Sequence, residues 1–263
     1  MREIIKRNLH SIEETHQVKI LYACEAGSRA WGLENKSSDY DVRFIYIHPT
    51  NDYLSIDPMG IGKKTDVMEV PISDKLDMFG WECTKALRLF RKSNPSFLEW
   101  LHSELVYSEA FTTIKKIKDI ENDVFSAKSS IHHYVNMAKN NFKKYQQADF
   151  LDIKQLLNVI RPILLAKWIE ENKRFPSVNL PFILENLTLK KDIIDFIYSL
   201  IQVKKSGRST LSNPEIEVLQ SFSVKEITRL KNTLNKLGPK PTKPLIEPLD
   251  NIFRETLNEV WGE

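Results

Sequence analysis

Asp39 and Asp41, separated by a single residue, follow the pair Gly27-Ser28 by about ten residues. On a β-strand side chains alternate, so these two carboxylates point to one face with Cα atoms roughly 6.5 Å apart. Acids held that close repel each other unless a cation lies between them. Mg²⁺ suits such a pair because it takes one or two carboxylates, waters and substrate phosphates, and two such ions about 3.5–4 Å apart can clamp an in-line phosphoryl displacement. Mg²⁺ is therefore the expected cofactor, held by Asp39 and Asp41, with a second ion allowed and Mn²⁺ able to substitute. Gly27 and Ser28 supply the complementary half. Glycine lets the backbone approach a phosphate, the Ser28 hydroxyl can donate to a phosphate oxygen, and amides entering a helix through Arg29 and Ala30 favour negative charge.

Other residues could join this site. Arg29 can pair with a phosphate or with one of the acids. Arg43 shares a face with Asp41 on a regular strand, so it can balance the acids or reach a substrate phosphate. Glu25, just before the turn, is either a metal or acceptor ligand or half of a structural ion pair; Trp31 either stacks on a base or fills core. Lys154 and Arg161 lie seven apart on a helix whose other face carries Leu157, Ile160, Leu164 and Trp168. They are placed to meet a triphosphate or an RNA backbone, with a solvated basic face as the alternative.

The elements that must position these groups are legible from periodicity. Ile5, Leu9 and Ile12 mark an amphipathic helix over about 2–15. The apolar run Ile20 to Ala26 is a buried strand ending at Gly27-Ser28, and Val42 to Ile47 is a second strand closed by His48-Pro49. After a loop from Pro49 to Lys64 with room for one helical turn, Thr65 to Val70 and Ile72 to Met78 form a strand pair. From Gly80 the period becomes helical, and Asn94-Pro95 starts a further helix through Trp100. Later segments, about 111–122, 127–147, 152–172, 188–204 and 223–236, read as helices, followed by a linker from Gly238 to Pro248 and a last helix from Leu249 to Val260. The fold expected is α+β: a small mixed-sheet α/β head over 1–108 and an all-α domain over 109–263.

Composition narrows the class. With 263 residues, 41% hydrophobic and 28% charged, the chain is that of a folded globular protein, and a net charge of +3 permits a nucleic-acid partner without demanding one. Charged residues interrupt every apolar run well short of the roughly 20 residues that cross a bilayer, and the charged N-terminus lacks a signal peptide's pattern, so no membrane association and a cytoplasmic location are expected. Two cysteines, Cys24 and Cys83, offer neither a disulfide framework nor a metal pair.

The order strand, Gly-Ser, short helix, Asp-x-Asp, strand resembles the nucleotidyltransferases of the DNA polymerase beta superfamily, in the form Ser37-Ser38-Asp39-Tyr40-Asp41 common among its smaller members. Gly27 to Gly32, Lys92-Ser93-Asn94-Pro95 with Glu99-Trp100-Leu101, and Arg161-Pro162 with Trp168 resemble its bacterial and phage branch that includes the RNA-ligase-associated proteins. The likeness spans roughly 18–170. It implies a polymerase-beta-like head, an NTP donor, and transfer of NMP to an acceptor hydroxyl with pyrophosphate release. It also implies a third carboxylate on an adjacent strand, binding metal and assisting deprotonation. Asp77 is the candidate, with Asp66 and Glu69 as alternatives and a helix N-cap as the competing role for Asp77. An RNA 3′ end, such as that of a tRNA, is the acceptor expected, while a protein or small-molecule hydroxyl is permitted. A non-catalytic nucleotide- or RNA-binding module, or a protein regulated by a protein partner, are the rival readings.

Overall fold

The computed structural model describes residues 1–57, 66–146, 152–207, 213–238 and 245–262. The outer part of the expected 49–64 loop, the beginning of the strand expected from Thr65, the end of the helix expected over 127–147 and most of the expected linker lie outside the described residues.

A five-stranded mixed sheet organises the first unit, in the order β3-β4-β2-β1-β5. Its strands are β1 (Lys19–Glu25), β2 (Tyr40–Ile47), β3 (Val67–Ser73), β4 (Leu76–Glu82) and β5 (Val106–Glu109). β2 and β4 run parallel, whereas β1–β2, β1–β5 and β3–β4 are antiparallel. Helix α1 (Arg2–His16) lays Ile5, Leu9 and Ile12 on one face, against Ile20, Ala23, Val42, Phe44, Tyr46, Leu76 and Met78. Burying each of those three side chains contributes about 1.5–3 kcal/mol, ample to hold a helix whose isolated stability would be marginal. The short helix α2 (Gly27–Ala30) links β1 towards β2, and α3 (Thr50–Tyr53) is the single turn expected after His48-Pro49. On the opposite face lie α4 (Cys83–Arg91) and α5 (Pro95–Leu101), where Trp100 stacks on Trp81 and its carbonyl accepts from the Tyr22 hydroxyl at 2.9 Å.

The α+β class is as expected, but several boundaries differ for identifiable reasons. The break between β3 and β4 falls at Asp74-Lys75 instead of Pro71, because β3 is an edge strand and can carry a residue without an N–H. β4 runs on through Gly80 to Glu82, and no helix starts at Gly80. The Phe44 ring of β2 occupies the space a side chain there would need, with an added Cβ lying 2.3 Å from Phe44 Cε2. Helix α4 starts where the buried Glu82 carboxylate accepts from the Thr84 and Lys85 amides. β5 has no signature in the sequence, because four residues are too few to display alternation.

The 109–263 segment does not form a separate domain as expected. β5 crosses that boundary, and α6 (Thr113–Asp119), α7 (Glu121–Val124) and α13 (Ile246–Trp261) belong with the sheet: the first unit comprises Met1–Ala30, Asp39–Phe125 and Thr242–Glu263. α13 is tied in by a buried hydroxyl pair, Thr113 to Thr256 at 2.9 Å, and by Glu259, which accepts from the Thr112 amide at 2.9 Å. The second unit, Trp31–Ser38 with Ser126–Pro241, is helical. It contains α8 (Ala127–Gln146), α9 (Ile153–Asn172), α10 (Leu180–Glu185), α11 (Lys191–Lys205) and α12 (Asn213–Lys236), of which α10 was unforeseen and α12 begins well before the expected residue 223. Arg229 of α12 meets Glu170 of α9 through both guanidinium nitrogens, at 2.9 and 2.7 Å.

Candidate nucleotidyl-transfer site

The turn after β1 explains why Gly27 is glycine. Its φ is +58°, and a Cβ there would lie 2.0 Å from Asp41 Oδ2. The backbone of the turn thus lies directly against the Asp41 carboxylate, and any side chain at 27 would expel it. The Ala26 amide donates to the Asp41 carbonyl at 2.8 Å, fastening the turn to β2. Ser28 follows on the one-turn helix α2 and is half-buried.

Asp41 pairs in register with Asp77 across the parallel strands β2 and β4, and Arg43 pairs with Phe79. Neighbouring parallel strands stand about 4.8 Å apart, and paired residues share a face, so Asp77 is beside Asp41. It stands near the start of β4, not at a strand end as expected from Ile72 to Met78, because the hairpin turn lies three residues further on than the sequence suggested. The N-cap alternative for Asp77 does not apply, since the cap of α4 is Glu82. Of the other candidates, Asp66 pairs with Lys85 at 2.7 Å near the far end of β4, and Glu69 stands opposite Phe79 on the edge strand.

Arg43 joins the two acids. Nη1 donates to Asp77 Oδ2 at 2.8 Å and to the Val42 carbonyl at 3.0 Å, and Nη2 donates to Asp41 Oδ1 at 3.3 Å. The Asp77 side chain is 55% exposed and that of Asp41 33%. Ion pairs as open as this add at most about 1 kcal/mol to stability, so the arrangement is not explained by what it contributes to the fold.

Asp39 is exposed and lies one residue before the start of β2, at the strand entrance. Arg29 holds that entrance: its Nε donates to the Asp39 carbonyl at 3.0 Å and its guanidinium lies 3.7 Å from the centre of the Tyr40 ring. Arg29 therefore grips the backbone of the acid motif at Asp39 and the ring of Tyr40.

Glu25 departs from both readings offered for it. A bulge at Leu21 shifts the register of β1, so Glu25 pairs with Val42 and faces α1, on the side of the sheet away from the acid pair. It is 1% exposed, accepts from the Asp41 amide at 2.8 Å and from the Tyr107 hydroxyl, and burial pushes its carboxyl upward while both bonds oppose the shift. It does not stand on the face of the acid pair as a ligand would, and its partners are the Asp41 amide and the Tyr107 hydroxyl instead of the cation of a structural ion pair. It fixes the backbone of the catalytic candidate from behind, together with Ser103, whose hydroxyl donates to the Glu25 carbonyl at 2.7 Å. The sequence hint was the Glu-Ala-Gly-Ser order itself, but the face could not be read without the bulge.

In the second unit the two basic candidates diverge. Lys154 is exposed on α9, whereas Arg161 is 4% exposed, with its guanidinium 3.7 Å from the centre of Trp31. The expectation that they share an open basic side fails for Arg161, because the Trp31–Ser38 segment covers that turn of the helix. The segment is further held by the Leu180 amide on the Trp31 carbonyl at 3.0 Å and by Lys204 Nζ on the Leu33 carbonyl at 2.7 Å. Burial, with Lys154 nearby, lowers the Lys204 pKa. Trp31 is thus a packing residue within its unit. Asn94 caps α5 by accepting from the Phe97 amide at 3.1 Å, and Trp100 is core.

Among the described residues no three His, Cys, Asp or Glu side chains converge as a ready-made metal cluster. The donor chemistry nevertheless suits Mg²⁺, which needs only one or two carboxylates: Asp41 and Asp77 are adjacent hard oxygen donors, a glycine leaves room against Asp41, and a guanidinium already stands between them as a cation.

The model of the RNA repair pathway DNA polymerase beta family, RlaP, matches residues 1–255. The chain belongs to this family. Membership marks it as a nucleotidyltransferase-like protein. YcgL of Bacillus subtilis (strain 168), described as an uncharacterized protein, is 38% identical over 263 residues, covering all of this chain and 99% of the relative. A nucleotidyltransferase-like protein from Exiguobacterium sibiricum, known from its crystal structure, is 11% identical with a TM-score of 0.32, covering 96% of this chain and 79% of the other. Within the family, Gly27-Ser28 and Asp39-x-Asp41 are the residues that carried the superfamily resemblance.

Proposed function

We propose that the protein transfers a nucleoside monophosphate from an NTP to an acceptor hydroxyl, with the 3′ end of an RNA, such as a tRNA, as the acceptor class, and with release of pyrophosphate. The observation that carries this reading is the in-register pairing of Asp77 with Asp41, on a strand next to the Asp-x-Asp strand and beside the Gly27 turn. Asp39 and Asp41, with Asp77, would hold Mg²⁺, or Mn²⁺ in its place; when bound it would neutralise triphosphate charge and lower the barrier to an in-line displacement, with one ion or two.

The chain's own residues supply positioning. The backbone of the Gly27 turn and the Ser28 hydroxyl hold phosphate oxygens, and Arg43 supplies a guanidinium at the same end of the sheet. The acceptor oxygen attacks the α-phosphorus as its proton passes to the Asp77 carboxylate; the bond from that phosphorus to the bridging oxygen breaks, and pyrophosphate leaves. Orientation and charge complementarity provide most of the acceleration in phosphoryl transfer. Lys154, exposed on α9, remains a candidate phosphate or RNA contact. A cytoplasmic location and an RNA partner agree with a family described by RNA repair, and among the described residues no helix is long and apolar enough to cross a membrane.

The test is transfer of label from each of the four α-³²P NTPs, with Mg²⁺, into total RNA and total protein, comparing wild type with Asp39→Asn. Label in RNA that disappears in Asp39→Asn is expected. Label in protein would reassign the acceptor, and undiminished label in the variant would remove Asp39 from the mechanism. NTP binding without transfer in any lane would favour a non-catalytic or partner-regulated module.

A further inference from the structure

We propose that Arg43 is the resident counter-cation of the acid pair in the metal-free protein, and that its exchange for a divalent cation couples metal binding to nucleotide binding. This rests on the reading above that Asp41 and Asp77 belong to the metal-holding set. The guanidinium donates to Asp77 Oδ2 at 2.8 Å and to Asp41 Oδ1 at 3.3 Å, so it spans the two carboxylates that the parallel register forces side by side. Without a cation there, the adjacent carboxylates would repel each other. With Arg43 in place a positive charge stands between them and offsets that repulsion.

The same contact makes Arg43 a competitor. A divalent cation and the guanidinium seek the same oxygens, and a positive charge within a few ångström weakens cation binding. Arg43 is nevertheless displaceable: its bond to Asp41 is long, its partners are water-accessible, and its side chain has enough rotatable bonds to leave. A nucleotide supplies the alternative partner, because a phosphate accepts the guanidinium fork as well as a carboxylate does. Once the fork turns to phosphate, the acids are free for metal. Nucleotide and metal therefore bind with positive, reciprocal coupling, and the acids do not capture metal firmly in the absence of nucleotide.

The measurement is Mn²⁺ affinity by electron paramagnetic resonance, with Mn²⁺ alone and then with an ATP analogue carrying a methylene between the α and β phosphates. In wild type the analogue should tighten Mn²⁺ binding to the protein. In Arg43→Gln, Mn²⁺ alone should bind roughly tenfold tighter than to wild type, the lower end of what a single neighbouring charge does to an ionic equilibrium, and the added effect of the analogue should shrink. Arg43→Lys, which keeps the charge but serves one carboxylate at a time, should fall between the two, and thermal melts in EDTA establish that both variants are folded. Equal or weaker Mn²⁺ binding in Arg43→Gln overturns the proposal while leaving the metal reading intact. Mn²⁺ binding that survives Asp41→Asn, or is missing from every variant, overturns the metal reading and the proposal with it.

Discussion

Asp77, Asp66 and Glu69 are the candidates for a third carboxylate, and the surroundings of the first two differ. Asp77 is open to solvent beside Asp41, whereas Asp66 is engaged by Lys85 and Arg88 on the opposite end of β4. Asp77→Asn should lower the rate of label transfer by about 10²–10⁴, the range for removing a general base, while Asp66→Asn should leave it within a few-fold of wild type. A loss in Asp66→Asn with full activity in Asp77→Asn would reverse the assignment. Behind them, Glu25 makes a pH prediction. Burial raises its carboxyl above the ordinary value of 4.5, so the folded protein keeps this proton to higher pH than the unfolded chain does. The sign follows: the stabilising contribution of the protonated group is complete below pH 4.5 and is lost as pH rises through the folded value. Glu25→Gln cannot ionise, so it should gain stability relative to wild type as pH rises from 4.5 to neutrality, read by urea denaturation of both. A pH-independent difference between the two would show that Glu25 titrates alike folded and unfolded.

At the scale of elements, the site depends on β2 and β4 lying close and parallel, and the closeness is set by a glycine. Gly80 lets the Phe44 ring lie across β4, an overlap that leaves no room for even a methyl group. Gly80→Ala should destabilise the protein by about 1–3 kcal/mol, typical of overpacking, as a shift in the urea midpoint. It should also lower transfer activity, because Met78 and Gly80 fix the strand that carries Asp77. Unchanged stability would mean the two strands can separate without cost. The β1 bulge acts at the same scale. By reversing the alternation after Leu21 it puts Ala23 and Glu25 on the α1 face with Ile20, and that is how a glutamate came to brace Asp41 from the buried side.

For the whole molecule, the division of the chain is not the division of the sequence. The sheet unit draws on β5, α6 and α7, and on α13 at the far end of the chain, while Trp31–Ser38, from within the acid-motif region, packs with the helices. A fragment ending at residue 108 cuts β5 and removes the buried Thr256, Leu249 and Ile252 from the unit. It should show no cooperative thermal unfolding and no dispersed amide spectrum by NMR. A fragment that folded would mean the sheet needs neither the last pairing of β5, Tyr22 with Glu109, nor α6, α7 and α13.

The sequence by itself determined the chemistry-bearing motif and the local elements around it. Gly27-Ser28, Asp39-x-Asp41, the amphipathic period of α1 and the β-branched run of β2 are local patterns, and local patterns survive without knowledge of the fold. Asp77 is one of three candidate acids in the sequence, because nothing local distinguishes it; the parallel register of β4 on β2 places it beside Asp41. The face of Glu25 was left open by the sequence, and the open side expected for Arg161 and the boundary at 108 depended on regular spacing and contiguous domains. A bulge, a covering segment and a returning C-terminal helix decided otherwise, each through contacts between residues remote in sequence, which spacing along the chain cannot encode. The guanidinium between the acids belongs to both classes: Arg43 was visible two residues from Asp41, but only the neighbouring strand showed that it joins two carboxylates.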